Sequence, residues 1–392
     1  MSRRRTVLLL GTTQTLAWAG SYYLPAVLAA SMARDLGVSV SFVFVAVSAA
    51  LLLTAVLGQP VGRAVDRRGG RVVLVASNLV MVAGVLVLAL AQGPATLLAA
   101  WALLGLAMGM GLYDPAFAAL ARLYGREARG PITGITLLAG FASTLGWPLT
   151  AAMEAWWGWR GACLGWAAIH LLVSLPLNLL LPGAEHRAPD AARPPPASAD
   201  AKQARDTRRQ AWLMAFIFCA GAFSAAALSA HLPGLLLAAG AAPAAAIAAA
   251  ALMGPAQVAA RALEATLLRR AHPLLSAKLA SIAHPLGAML LLAVGAPVAA
   301  VFVLLHGAGN GVQTIVRGTL PLAVFGPAGY GARQGMIVAP SRFFGALAPA
   351  LFGMVVEAGG AQALWLTVAL NLAAFMALFF LRVAPASPEA SR

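Results

Sequence analysis

Four polar side chains, His306, Asn310, Gln313 and Arg317, stand 4, 3 and 4 residues apart in an otherwise apolar run. On an α-helix that spacing puts them on one stripe. Arg342 is a second guanidinium inside an apolar run, and Asp114, next to Pro115, is the one acid well inside such a run. Glu154, Glu264 and Glu357 fall near the ends of theirs. Closer to the start, Gln14, Trp18, Ser21 and Tyr22 share a helical face. In hydrocarbon each of these polar groups is costly unless it faces protein or a water-filled path. The chemistry they suggest is recognition and passage of a small solute. Asp114 is either a coupling acid that titrates or a structural partner for an arginine. His284 and His231 read as hydrogen-bonded seam residues between helices.

Other chemistries find little support. The sequence contains no His-Glu-x-x-His, no Gly-x-Ser-x-Gly and no Gly-x-x-x-x-Gly-Lys-Ser/Thr phosphate loop. No catalytic residue and no cofactor are therefore expected, and no ATP-driven motor. A metal carrier would draw on His306, His284, Met289, Met336 or Cys219, but no pair of these has ligand spacing.

The elements that must hold these residues follow from composition. Of 392 residues, 61% are hydrophobic and 10% charged, whereas a soluble chain needs about a quarter charged. Apolar runs of about 20 residues, the length a bilayer core demands, recur along nearly the whole chain. The net charge of +15 is spread between these runs and forms no basic domain, so it signals topology and gives no indication of nucleic acid. Cys163 and Cys219 lie inside apolar runs and read as free packing thiols. The opening Arg3-Arg4-Arg5 imitates a signal peptide, but the apolar run behind it continues to about Ala33, too long for a cleaved core.

Backbone groups in hydrocarbon must be satisfied within a helix or a closed barrel, and these runs are too long for barrel strands. The expectation is an all-α membrane protein with twelve helices, near residues 6–33, 39–64, 72–91, 95–122, 131–154, 160–181, 209–238, 242–266, 276–295, 297–324, 332–356 and 360–383. With the N-terminus inside, 23 of the 27 basic residues fall on inner connections, including Arg187, Arg193, Lys202, Arg270 and Arg392. Both termini are therefore expected on the cytoplasmic side of a bacterial inner membrane. A polar stretch with three successive prolines divides the chain into a bundle at 1–182, a linker at 183–208 and a second bundle at 209–392. The halves echo one another: Tyr23-Leu24-Pro25 matches His231-Leu232-Pro233, Gly58-Gln59-Pro60 resembles Gly254-Pro255, and Gly109-Met110-Gly111 parallels Gly309-Asn310-Gly311. Such repeats mark carriers built as two pseudo-symmetric halves.

Between the second and third helices the chain carries Gly62, Asp66, Arg67, Gly69 and Arg71. This pattern resembles the signature loop of the major facilitator superfamily, Gly-x-x-x-Asp-Arg-x-Gly before a basic pair, with Gly70 in the first basic position. Trp157-Gly158-Trp159-Arg160 and Glu127-Ala128-Arg129-Gly130 are similar to further marks of that family. The resemblance covers the chain except its tails and linker. It implies six helices plus six, alternating access, and a solute site lined by helices 1, 4, 7 and 10. It also implies a gating role for the loop, in which Asp66 accepts bonds from a neighbouring helix start while arginines reach nearby acids. Two departures weaken a drug/proton antiporter reading: Trp101 stands where the family often has an arginine, and the helix 5 Gly-Pro pattern survives only as Gly146-Trp147-Pro148.

Arg317 and Arg342 outnumber Asp114, so a small organic anion is the expected solute, moved with a coupling ion such as H+. Proton-coupled drug or metabolite efflux is the alternative; a metal carrier or a membrane-embedded enzyme ranks below both. The expected working form is a monomer in the lipid bilayer.

Overall fold

The computed structural model describes residues 2–183, 201–269 and 271–382. Of the positions named above, Arg187, Arg193, Arg270, Arg392 and most of the 183–208 linker lie outside the described residues, as does the side chain of Lys202. The described chain is helical and contains no strand.

Twelve crossings can be traced among the described residues. α1 comprises Arg3–Ala19 and Pro25–Leu36, α2 is Val40–Arg68, α3 is Gly70–Ala89, and α4 comprises Pro94–Gly111 and Tyr113–Tyr124. α5 begins with Arg129–Ala139 and enters the run Ala142–Ile169. Gly158, at φ +68°, breaks that run in the left-handed region that favours glycine, and α6 follows. α6 continues through one π turn, His170–Ser174, to Leu175–Leu179. α7 is Ala201–Ala238, α8 comprises Pro243–Ala251 and Met253–Thr266, and α9 is Pro273–Val294. α10 is Ala299–Phe325, α11 is Tyr330–Gly359, and α12 is Leu364–Ala377 with a short 3-10 turn at each end. By length and composition eight helical stretches can cross a membrane, and two of them, Pro94–Leu179 and Tyr330–Phe380, each contain more than one crossing.

Four helices expected to be continuous are broken. α1 opens at Gly20–Leu24, α4 at Leu112, α5 at Gly140–Phe141 and α8 at Leu252. The expected linker also ends earlier than Arg208, because residues from Ala201 already belong to α7. Ala, Lys, Gln and Arg dominate that stretch and are strong helix formers even where they are polar. Gln210 and Asp206 hold this part of α7 against the residues that follow α12: the Arg382 N–H donates to Gln210 Oε1 at 3.0 Å, and Arg382 pairs with Asp206 at 3.2 Å.

The chain forms two compact units, Met1–Ala188 with Gly331–Ala346, and Pro189–Tyr330 with Leu347–Arg392. The first half of α11, which falls within the bundle expected at 209–392, groups with the first unit. Leu28, Met32, Val85, Trp101, Leu104 and Trp166 form the core of that unit. The second unit packs around Leu228, Leu235, Phe302, Phe352 and Leu364. Large apolar side chains such as Val56, Leu172 and Leu267 are instead outward and exposed, as a protein solvated by lipid requires.

Candidate functional site

The break in α4 is a local consequence of sequence. Pro115 has no N–H to offer the carbonyl four residues earlier, that of Gly111. Gln14 of α1 donates its Nε2 to that oxygen at 2.6 Å. Leu112 adopts an extended conformation, φ −81° and ψ −161°, and the helix restarts at Tyr113. Proline alone does not break a helix here, since α10 runs unbroken through Pro321. The combination of a missing donor and a competing side chain does. Gly111 must also lack a side chain, because a Cβ there would collide with Ser77 Oγ.

The restart places Asp114 in the first turn of the second segment, where the helix dipole favours a carboxylate. Arg342 of α11 pairs with Asp114 Oδ2 and also donates to the Thr54 carbonyl of α2. Gln334 Nε2 reaches Asp114 Oδ1 at 3.4 Å. The paired side chains are 14% and 8% exposed, so removing either partner would strand a nearly buried charge, at a cost of about 3–5 kcal/mol. Arg342, expected to meet a solute, is thus held by Asp114 in this structure.

An aromatic cluster lies at the same two breaks. Trp18, on the last turn before α1 opens, has its ring 5.1 Å from Tyr22 and 5.0 Å from Tyr113. Tyr113 stacks on Phe117 at 5.3 Å, and Tyr23 meets Trp147 edge-on at 5.9 Å. Tyr22 is 42% exposed, while Gln14 is buried. Among the described residues, Trp18 Nε1 and Gln14 Oε1 are buried without a hydrogen-bond partner. Helix breaks within a protein interior, edged by aromatic and polar groups, are how carriers build solute sites.

At the basic loop, Asp66 accepts the N–H of Gly331 at 3.0 Å and of Ala332 at 2.9 Å, the first free donors of α11. The Arg122 guanidinium donates to the Asp66 carbonyl. α2 and α11 meet backbone to backbone there: a Cβ on Gly62 would collide with the Gly331 carbonyl, and one on Gly58 would lie 2.9 Å from the Gly335 oxygen. Gly69, at φ +84°, ends α2 and caps α3. Arg67 and Arg71 are exposed and make no ion pair among the described residues.

In the second unit the expected stripe divides. His306 is buried in a seam with α9 and α12: its Nδ1 lies 3.0 Å from His284 Nδ1, and His284 Nε2 lies 2.9 Å from Thr367 Oγ1. It does not line an open wall, because Phe302 and α9 cover it. Asn310, Gln313 and Arg317 are half-buried. Gln313 lies against α7, where a Cβ on Gly221 would come 2.7 Å from its Nε2. The cause is a crowded flank: Gly307, Gly309 and Gly311 bring α10 onto α8 and α9 at the His306 level.

Gln334, Thr54 and Tyr113 escaped notice in the sequence, and Pro115 drew attention only as the neighbour of Asp114. Pro115 four residues after Gly111 was the one signal available; a backbone acceptor such as the Thr54 carbonyl leaves none.

Broken helices in a chain with a buried ion pair, all carried by twelve crossings, define a polytopic membrane transporter. The family model of the Major Facilitator Superfamily matches residues 10–312, and the chain belongs to that family. Its members and structural neighbours are transporters, not enzymes. The fold is similar to that of the E. coli fucose:proton symporter FucP, with a TM-score of 0.75, 15% identity, and coverage of 98% of this chain and 100% of that one. It is also similar to the human organic anion transporter MFSD10, with a TM-score of 0.72, 19% identity and coverage of 96% and 100%. The proton:xylose symporter XylE matches with a TM-score of 0.73, 13% identity and 97% coverage of both chains. A 38 kDa protein of Thermoproteus tenax from a 23S RNA operon is 35% identical over 132 residues, 33% of this chain and 34% of its own length. The match thus spans about a third of that relative.

Proposed function

We propose that this transporter is a secondary carrier that moves a small organic anion across a bacterial inner membrane, as a monomer, by alternating access. The observation that carries the reading is Arg342 paired with Asp114 at the α4 break, beside the Trp18–Tyr22–Tyr113 cluster. A solute carboxylate can offer Arg342 the anionic acceptor that Asp114 Oδ2 provides here. If Asp114 takes a proton as the solute displaces it, one anion and one proton enter together and no buried charge is left unpaired. Asn310, Gln313 and Arg317 supply polar contacts from α10, and Gln14 serves from α1. The organic anion transporter among the structural neighbours is in keeping with this choice.

Gating falls to the basic loop. The Asp66 bonds to Gly331 and Ala332 hold the start of α11 on α2, and Gly62 and Gly69 allow that approach. Opening the pathway at this end requires these bonds to break. The excess of basic residues beside this loop supports a cytoplasmic position for it and for both termini. A single cysteine at position 205 should therefore resist an impermeant thiol reagent added outside intact cells.

A second reading is favoured by the aromatic rings: a neutral sugar-like solute stacked on Trp18 and Tyr113, with Asp114 still carrying the proton. Thermal stabilisation of purified protein tests both, because only a ligand of the folded carrier raises its melting temperature. Small carboxylates should stabilise it, and Arg342→Lys should remove the effect by losing the planar fork. Stabilisation by pentoses or hexoses alone would select the sugar reading, and by cationic amphiphiles alone, drug efflux.

A further inference from the structure

The far end of α1 and the α5–α6 turn border an open surface pocket of about 510 Å³, lined by Ser31, Arg34, Asp35, Glu154, Gly158 and Trp159. Its charges are unevenly used. Asp35 is spent: its Oδ2 accepts the Trp159 indole N–H at 3.1 Å and pairs with Arg160. Arg160 is occupied too, donating to the Ala91 carbonyl at 2.6 Å and lying 4.2 Å over the Trp159 ring. Arg34 and Glu154 differ. Arg34 makes one long bond, 3.5 Å to Ser31 Oγ, and Glu154 accepts one bond, from the same hydroxyl. Neither belongs to an ion pair among the described residues. The Ser31 hydroxyl bridges the two opposite charges within one pocket.

A guanidinium with unused donors and a carboxylate with an unused oxygen, separated by one hydroxyl, match a ligand that carries both signs a few atoms apart. Trp156 and Trp157, beside the pocket at the α5–α6 turn, are 71% and 61% exposed, as indoles are at the headgroup level of a bilayer. We propose that this pocket binds a zwitterion made of a primary ammonium and an anionic phosphate, with the phosphate on Arg34 and the ammonium on Glu154. The headgroup of phosphatidylethanolamine and free phosphoethanolamine share that chemistry; the exposed tryptophans favour the lipid. The site lies on a different part of the first unit from the Asp114–Arg342 pair, and does not depend on which solute is carried.

Native mass spectrometry of the purified full chain tests this with short-chain phosphatidylethanolamine, phosphatidylcholine and phosphatidylglycerol at equal concentration. Phosphatidylethanolamine should be retained most, because choline has no N–H for Glu154 and phosphatidylglycerol has no cation. Arg34→Gln and Glu154→Gln should each weaken its retention about tenfold, the loss of one charged hydrogen bond. A melting-temperature titration with phosphoethanolamine separates the sources: stabilisation lost in both variants assigns the site to the free zwitterion, and its absence beside lipid retention assigns it to the headgroup. Equal retention of the three lipids with no effect of phosphoethanolamine would overturn the proposal. So would unchanged binding in both variants. Should one variant not fold, the ranking of lipids and phosphoethanolamine by the wild type still decides.

Discussion

α4 and α10 carry the same Gly-x-Gly, at Gly109–Gly111 and Gly309–Gly311, yet one helix breaks and the other does not. In both, the second glycine's carbonyl is taken by a side chain from another helix, Gln14 Nε2 at 2.6 Å and Arg261 Nε at 3.2 Å. The difference lies four residues on. Position 115 is proline and position 315 is isoleucine, so Gly311 keeps its helical donor while Gly111 has none to lose. A helix survives a competing hydrogen bond as long as its own is available. The broken copy gains a second helix start, and with it a place for Asp114 that α10 does not offer.

The largest effect should come from the ion pair that occupies that place. Arg342→Ala leaves Asp114 nearly buried beside a weak Gln334 contact, and is expected to abolish transport and cost about 3–5 kcal/mol. Chemical denaturation and uptake at matched protein levels check it. Restored stability without transport in Asp114→Asn combined with Arg342→Ala would assign the loss of stability to the stranded charge. If transport persists in Arg342→Ala, the arginine is a structural partner only.

The comparison itself can be broken by Ile315→Pro, which gives α10 both conditions met in α4. The expected outcome is a helix opened near residue 312 and a stability loss of about 3 kcal/mol, read from the melt and from thiol labelling of a cysteine at 312. Pro115→Ala is the converse: the returned N–H lets α4 close, stability holds or rises, and transport falls. A smaller change sharpens the same point. Gln14→Leu removes the donor that replaced the lost N–H and should cost about 1–3 kcal/mol, the range for a stranded buried acceptor.

The smallest effect on stability is expected at a second carboxylate that serves a helix start. Asp66 caps α11 from outside, whereas Asp114 stands on its own helix. Asp66→Asn keeps one acceptor oxygen for the Gly331 and Ala332 donors, so stability should fall by about 1 kcal/mol. Transport should fall further than that, because the weakened contact belongs to the gate. Unchanged uptake would leave Asp66 a surface charge.

The sequence by itself determined the solvent, the helical class and the family signature. Sixty-one per cent hydrophobic residues in runs of bilayer length admit few other architectures, because hydrocarbon forbids unpaired backbone groups. It also singled out Asp114, Arg342 and Asp66, since a charge in an apolar run, or an acid in a basic loop, is conspicuous by composition alone. Tertiary structure decided what those charges touch. Whether Arg342 meets Asp114 or a solute depends on two helices far apart in sequence coming together, and the Thr54 carbonyl that holds its other end has no side-chain signature. The same limit explains His306: helical spacing put it on one stripe with Gln313, but spacing fixes only the angle around a helix axis. Which neighbour fills that angle at each level is set by packing, and the glycines of α10 brought α8 and α9 close enough to bury His306 against His284.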